Sequence, residues 1–335
     1  MTPATATDTT LLLTHAALAG RVPETVYIDA VQAAFRQWGE GRLKASAVGH
    51  VPCVGGAVHI KPAASDTRIV VKINANFPGN PANYGLPTIQ GVVALIDART
   101  GRFLALMDSS EITAQRTAAA SAVAAKFLAR SQSSTLGFIG AGLQARYHLP
   151  TLCCVIPMRE VVCCDPNADN VQHLAALAAA RGMSFRVCAT PREVAQAADV
   201  LVTCTPSRQA LVNADDVRPG TFIAAVGADN ADKQELSVEL MRRARVVPDV
   251  LAQAAHMGDL HHALAEGVMR EADIHGELAD VVMGHVPARN DDEAVFVFDS
   301  TGVAIEDLAA AERLYEHFRD DVSVPRIAFH TGVFT

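Results

Sequence analysis

An α/β protein is what this sequence predicts: a doubly wound parallel sheet together with a second, discontinuous α+β domain. Three observations carry the expectation. The run Leu136-Gly137-Phe138-Ile139-Gly140-Ala141-Gly142-Leu143-Gln144-Ala145 reads as strand, tight turn and helix start. Apolar runs at 160–164, 200–204 and 222–226 follow it, with Ala/Leu-rich helical stretches between them, an alternation that implies parallel strands. Ahead of that run lies a different texture, in which short strands are punctuated by turn residues.

From the N-terminus, residues 1–10 are rich in Thr and Ala and are expected to be disordered. Leu11-Leu12-Leu13 reads as a first strand leading to a helix over 28–38. A faint likeness to a signal peptide lacks the basic start, since no Lys or Arg precedes it. Strands are expected at 58–61, 69–73 and 92–97, separated by Pro62, Asp66, Pro78-Gly79-Asn80-Pro81 and Thr100-Gly101. Residues 109–130 turn helical, with Ser110 or Thr113 as caps. Together these make an α+β domain over 1–130. The chain becomes helical again after Val250, and 294–298 reads as a last strand. Asp299-Ser300-Thr301-Gly302 then opens a helix to about His317 that returns to the first domain, so 305–335 complete it. The parallel-sheet domain is expected over 131–304.

The glycine run carries specific chemistry. Gly140 permits the turn, Gly142 lets backbone approach a pyrophosphate, and Ala145 allows close packing of helix on strand. Leu143 and Gln144 begin the helix whose unpaired N–H groups favour an anion. Asp165 ends the next apolar run, where a carboxylate accepts from both ribose hydroxyls and repels a 2′-phosphate. This Rossmann pattern points to NAD rather than NADP. Thr205 and Gly227, just beyond the strands at 200–204 and 222–226, are further candidate cofactor contacts. A Gly-rich turn in an unrelated α/β domain is the alternative.

With 335 residues the chain has room for two domains, and 50% hydrophobic against 19% charged residues permits large cores. A formal charge of −8 argues against nucleic acid or an anionic membrane as partner. Seven cysteines include the adjacent pairs Cys153-Cys154 and Cys163-Cys164 but no C-x-x-C, which fits reduced thiols used as small core residues. Cytoplasmic location follows as the expectation. His256, His261 and His262 lack metal-ligand spacing, and no metal is expected.

Several blocks, in order over nearly the whole chain, resemble the ornithine cyclodeaminase/mu-crystallin family. They are Lys72-Ile73-Asn74-Ala75-Asn76-Phe77-Pro78-Gly79-Asn80-Pro81, Gly85-Leu86-Pro87-Thr88-Ile89-Gln90-Gly91, Leu106-Met107-Asp108 and Thr113-Ala114-Gln115-Arg116-Thr117-Ala118-Ala119. Gly227-Ala228-Asp229 with Lys233-Gln234-Glu235-Leu236, and Phe298-Asp299-Ser300-Thr301-Gly302, complete the set. The resemblance implies a dimerising α+β domain beside a Rossmann domain, with substrate between them next to a nicotinamide. It further implies that Lys72 and Arg116 bind the substrate carboxylate and that Asp229 is the polar group at the reacting carbon and nitrogen. Thr88, Thr117 and Ser300 would lie near the cofactor. Two departures stand out. Where family members carry an upstream Arg or Lys for the carboxylate, this chain offers Lys44. Where ornithine cyclodeaminase has a glutamate, this chain has His59, which argues against a basic diamino acid.

Read from the residues alone, Lys72 is a solvated strand lysine and Arg116 a salt-bridge or phosphate contact, while Asp229, at the carboxyl end of the strand at 222–226, suits a substrate ammonium or an activated water, with an Asx-turn cap as the alternative. His59 suits a proton carrier or a satisfied strand histidine equally, while Asp232 and Glu235 read as surface helix residues. With the resemblance, the expected activity is an NAD-dependent oxidoreductase interconverting a small amino acid and its imine or 2-oxo acid. A redox-neutral cyclodeaminase releasing ammonia, and a non-catalytic mu-crystallin-like binding protein, are the alternatives. A homodimer with a small amino-acid or imino-acid substrate is the expected assembly.

Overall fold

The computed structural model describes residues 9–329, and the chain divides into two compact units. The first runs to Arg116 and resumes at Ala304; the second spans Thr117–Val303. The division falls inside a helix, ahead of the 130/131 boundary that the sequence suggests. Of the N-terminal stretch expected to be disordered, residues 1–8 lie outside the described residues, and Thr10 already belongs to a strand.

The first unit starts with β1 (Thr10–Leu13), α1 (His15–Leu18), α2 (Glu24–Gly39), β2 (Lys44–Ala45) and β3 (Gly49–Cys53). Then come β4 (Gly56–Ala64), β5 (Arg68–Asn76), α3 (Asn80–Tyr84), β6 (Ile89–Asp97), β7 (Phe103–Asp108) and α4 (Ser109–Leu128). Helix α2 forms because Tyr27, Ile28, Val31, Ala34 and Phe35 recur at helical spacing and bury one stripe. Strands β4 to β7 form an antiparallel meander, with β1 parallel to β7 at one side and β2 and β3 both paired to β4 at the other.

Register in this meander decides what meets what. Lys61 lies opposite Lys72, Lys72 opposite Val93, and His59 opposite both Asn74 and His50. Alternation along each strand therefore puts His50, His59, Lys61, Lys72 and Asn74 on one face. Val70, Val93 and Leu95 share that face and are fully buried.

The second unit contains β8 (Thr135–Ile139), α5 (Leu143–Cys153), β9 (Glu160–Cys164), α6 (Ala168–Ala179), β10 (Ser184–Val187), α7 (Pro191–Ala197) and β11 (Val200–Thr203). It continues through β12 (Arg208–Val212), β13 (Phe222–Ala225), β14 (Gln234–Leu236), α8 (Val238–Arg243), β15 (Arg245–Pro248), α9 (Leu251–Ala254), α10 (Asp259–Ala265), α11 (Leu278–Met283) and β16 (Phe296–Asp299). Seven strands make a parallel sheet in the order β10-β9-β8-β11-β13-β16-β15. Winding reverses between β8 and β11, the switch point outside which ligands bind in such sheets. Continuous apolar runs explain the central strands: β11, β13 and β16 are buried throughout, as strands covered on both faces must be.

The chain then rejoins the first unit through α12 (Ala304–Phe318) and β17 (Arg326–Ile327), which makes that unit discontinuous. The strand expected to be last is followed by β17, a two-residue pairing with β1 too short to leave a pattern. Helix α12 packs on α2 and across β4, β5 and β6, burying Ile305, Leu308, Ala311, Leu314 and Phe318. All seven cysteines are free thiols. Among the described residues no helix is long and apolar enough to cross a membrane, and no group of His, Cys, Asp and Glu could hold a metal ion.

Candidate functional site

Within the first unit, Lys72 and Arg116 are brought together by two acids that no motif announces. Lys72 Nζ lies 2.7 Å from Asp307 Oδ2, and the same ammonium donates to Asp307 Oδ1 at 2.8 Å. Arg116 Nε donates to Asp307 Oδ1 at 3.1 Å, and its terminal NH1 donates to Glu306 at 2.6 Å. Helix α12 supplies both acids from its first turn, where the helix dipole also favours negative charge. Lys72 is 2% exposed and Arg116 4%, while both acids are fully buried. The arrangement fixes two cations in place with most of their solvation removed.

The electrostatics follow from that burial. Desolvation is the main force on Lys72, Arg116 and Lys61 repel its proton, and Asp307 holds it, so its pKa falls to about 7. Burial also pushes Asp307 upward, but attraction to Lys72 and Arg116 outweighs it and keeps the carboxyl below its ordinary range. Asp307 thus stays ionised while Lys72 exchanges its proton near neutrality. One cluster can hold an anion through Arg116 and move a proton through Lys72.

Along the same face the polar character continues outward. His59 is half-buried, His50 is exposed, and their Nδ1 atoms lie 3.4 Å apart. Asn74 Oδ1, Asn76 Oδ1 and Ser109 Oγ are buried with no hydrogen-bond partner among the described residues. Buried polar atoms of this kind are satisfied by an ordered water, an ion or a polar ligand. Lys44 does not join the group. It pairs with Ala64, whose side chain is on the opposite face from Lys61 and Lys72, and it is exposed. Thr88 sits half-buried ahead of β6, its carbonyl accepting from Phe77 N at 2.8 Å, and Thr117 is buried in α4.

In the second unit the glycine run forms the expected strand–turn–helix. Gly140 adopts φ +91°, and a Cβ there would lie 2.8 Å from the Cys204 carbonyl oxygen. Gly142 has an ordinary φ and precedes α5 without a side-chain cap; a Cβ there would meet nothing within 4 Å. The helix start is thus open at its N–H groups, as an anion site requires. Leu143 is 52% exposed beside it. Gln144 Oε1 and Ser300 Oγ are buried without a hydrogen-bond partner among the described residues, which fits a bound dinucleotide. Asp165 accepts from Ala141 N at 2.6 Å and from Asn167 N at 2.7 Å, so it braces the turn from the end of β9.

Thr205 and Gly227 are joined by Glu235, and here the expected surface residue proves to be internal. Glu235 lies in β14 and is fully buried. Its Oε1 accepts from Thr205 N at 2.6 Å and Thr205 Oγ1 at 2.7 Å, and its Oε2 from Gly227 N at 2.8 Å. Behind it Asp259 Oδ1 accepts from Glu235 N and Leu236 N, and Asp299 accepts from Asp259 N and Leu260 N. Burial, then the charge of Asp259, raises Glu235 to about 7; burial raises Asp259 to about 6. A chain of carboxylates thereby ties the loops after β11 and β13 to β16. Asp229, beyond β13, is 48% exposed and pairs with Lys233 Nζ at 2.7 Å.

The sequence model of the ornithine cyclodeaminase/mu-crystallin family matches residues 9–321. Alanine dehydrogenase of Archaeoglobus fulgidus is 38% identical over 308 residues, covering 92% of this chain and 95% of that protein. Iminosuccinate reductase of Paracoccus denitrificans is 35% identical over 315 residues, covering 91% and 96%. The solved structure of an archaeal alanine dehydrogenase dimer with bound NAD matches at a TM-score of 0.92 and 36% identity, over 96% of this chain and 100% of that one. The chain belongs to the ornithine cyclodeaminase/mu-crystallin family.

Proposed function

We propose that this protein is an NAD-dependent oxidoreductase that interconverts a small amino acid and its imine or 2-oxo acid. The observation that carries the reading is the buried Lys72–Arg116 pair, two cations held side by side in a unit whose relatives are named for amino-acid and imino-acid chemistry. Arg116 and Lys72 hold the substrate carboxylate, and two cations fix its orientation where one would let it turn. Lys72 also passes a proton, given its poise near neutrality. Asp229 is the carboxylate for the substrate nitrogen. On the second unit, α5 and the turn at Gly140 and Gly142 receive the pyrophosphate, with Leu143, Gln144, Thr205, Gly227 and Ser300 around the dinucleotide. Asp165 accepts from the adenosine ribose, and Thr88 and Thr117 complete the cofactor contacts. A bound nicotinamide supplies the hydride donor or acceptor. His59, a base in the position where a diamino acid would want an acid, disfavours the cyclodeaminase alternative.

Partly exposed apolar residues on the other sheet face of the first unit suit a homodimer, as in the archaeal relative. Free thiols throughout suit a reducing cytoplasm. The test follows NADH absorbance and ammonia together over a panel of amino acids and 2-oxo acids with ammonia. Stoichiometric NADH change establishes the oxidoreductase. Ammonia release without net NADH change would make the protein a cyclodeaminase and overturn the reading.

A further inference from the structure

We propose that Cys164 and Cys188 form a reversible disulfide whose closure weakens NAD binding, a thiol–disulfide site at the adenosine side of the dinucleotide fold. The coupling to NAD rests on the cofactor contacts proposed above; the disulfide itself does not.

Register pairs the two thiols. Strands β9 and β10 run parallel with Val187 opposite Cys163, and Cys188 N donates to Cys163 O at 2.8 Å. That bond is the next step of the ladder and sets Cys188 opposite Cys164. Neighbouring strands stand about 4.8 Å apart, within the roughly 4.4–6.8 Å between Cα atoms that a disulfide bridges. Opposed residues project to the same face of the sheet. Cys188 is accordingly buried in one core with Val162 and Val194, and Cys164 packs against that same core. Cys163, one residue away, projects to the other face. Cys153 Sγ lies 3.8 Å from Met183 Sδ, and Cys204 Sγ donates to Gly140 O at 3.2 Å.

The surroundings give the two thiols different roles. Arg186 NH1 lies 3.3 Å from Cys188 Sγ. Burial raises both thiols; at Cys188 the Arg186 guanidinium opposes the rise, whereas at Cys164 the charges of Cys188, Asp165 and Glu193 add to it. Cys188 is therefore the attacking thiol and Cys164 the resolving one. The Cys188 thiolate attacks hydrogen peroxide, forming an S–O bond as the O–O bond breaks, and the departing hydroxide leaves as water with the Cys188 proton. The Cys164 thiolate then attacks the sulfenic sulfur, the S–O bond breaks, and the second hydroxide leaves as water with the Cys164 proton. Two thiols lose two electrons and one peroxide gains them. Since burial keeps both thiols protonated, closure is slow, answers sustained oxidation and quickens as pH rises.

Closure reaches the cofactor through the backbone. Cys164 O accepts from Gly140 N at 2.9 Å, and the next residue, Asp165, accepts from Ala141 N at 2.6 Å. Drawing Cys164 toward β10 pulls both on the turn that receives the pyrophosphate and on the carboxylate that accepts from the ribose.

The test treats the NAD-free protein with hydrogen peroxide at mildly alkaline pH, then alkylates, digests with trypsin and reads the peptides by mass spectrometry. Residues 160–181 are expected joined to 187–192, with the link kept in Cys163→Ala and lost in Cys164→Ala. Calorimetric titration of the same samples with NAD is expected to show the wild-type Kd rising about tenfold after peroxide and returning with dithiothreitol. In Cys164→Ala the Kd should be the same before and after treatment. Sulfinic or sulfonic acids alone, or a link between other cysteines, overturns the site. A link between Cys164 and Cys188 that leaves NAD affinity unchanged overturns its control of the cofactor. Failure of the reduced protein to bind NAD sinks the proposed cofactor contacts instead, and the linked peptide then still upholds the disulfide.

Discussion

Lys72 is asked to be two things, a cation for an anion and a proton carrier, and its surroundings reconcile them. Burial and Arg116 bring its pKa to about 7, while Asp307 keeps the ammonium from being lost outright. In the reductive direction the residue acts as an acid and must be protonated. The rate of imine reduction is therefore expected to fall as pH rises through about 7. In the oxidative direction it acts as a base, so amino-acid oxidation should rise over the same interval. Parallel slopes in the two directions would show that Lys72 is not the proton carrier. Asp307 is a separate matter, because removing one member of a buried ionic cluster strands its partners. Asp307→Asn is expected to cost about 3–5 kcal/mol of folding stability, measured by urea denaturation. A loss under about 1 kcal/mol would mean the cluster relaxes into water. Of these residues, Lys72 and Arg116 could be found from motifs. Asp307 could not: it lies 235 positions from Lys72, and an acid in the first turn of a helix is ordinary.

At the scale of elements, the two glycines of the β8–α5 turn do different work and should respond differently to a methyl group. Gly140→Ala places Cβ 2.8 Å from the Cys204 carbonyl at a φ of +91°, so the fold itself must strain. It should lower stability by about 1 kcal/mol or more as well as NAD affinity. Gly142→Ala meets no atom within 4 Å and has an ordinary φ, so the melting temperature should hold while NAD affinity drops. Thermal denaturation alongside calorimetric titration with NAD separates the two; a matched loss of stability in both variants would count against the pyrophosphate site. Glu235→Gln tests the support behind that site. An amide cannot accept from Thr205 N and Gly227 N at once with both of its heavy atoms, and one N–H loses its partner. NAD binding is expected to weaken by ~10-fold or more. Central strands were legible because each is an unbroken apolar run, as in β9, β11 and β13. Strand β14 was not, since Gln234–Leu236 is three residues long with a carboxylate at its centre, and polarity alone reads as surface.

For the molecule as a whole, the first unit's sheet has one face covered by α12 and a second face that α12 leaves bare. Helix α12 lies on the face that carries Val70, Lys72, Val93 and Leu95. The opposite face presents Val58, Ile60, Val71, Ile73 and Val92, with Ile73 41% exposed and Val51 on β3 50% exposed. An antiparallel sheet that ended in solvent would alternate to polar residues on that side, and this one does not. Contiguous apolar surface of this kind is the mark of an association site. A second copy of the chain meeting the same face gives the self-complementary contact of a two-fold dimer. The alternation was readable in Ile69-Val70-Val71-Lys72-Ile73, where both faces are apolar; which one faces a partner was not, because that depends on where α12 returns, far along the chain. Sedimentation equilibrium at micromolar concentration should find the wild type dimeric. Ile73→Asp, which puts a charge into the middle of that face without touching the Lys72 side, should raise the dimer dissociation constant by ~100-fold, about the 2–4 kcal/mol expected for a central interface position. A wild type that sediments only as monomer, or a variant that dimerises unchanged, would move the interface elsewhere and leave the exposed sheet face without a partner.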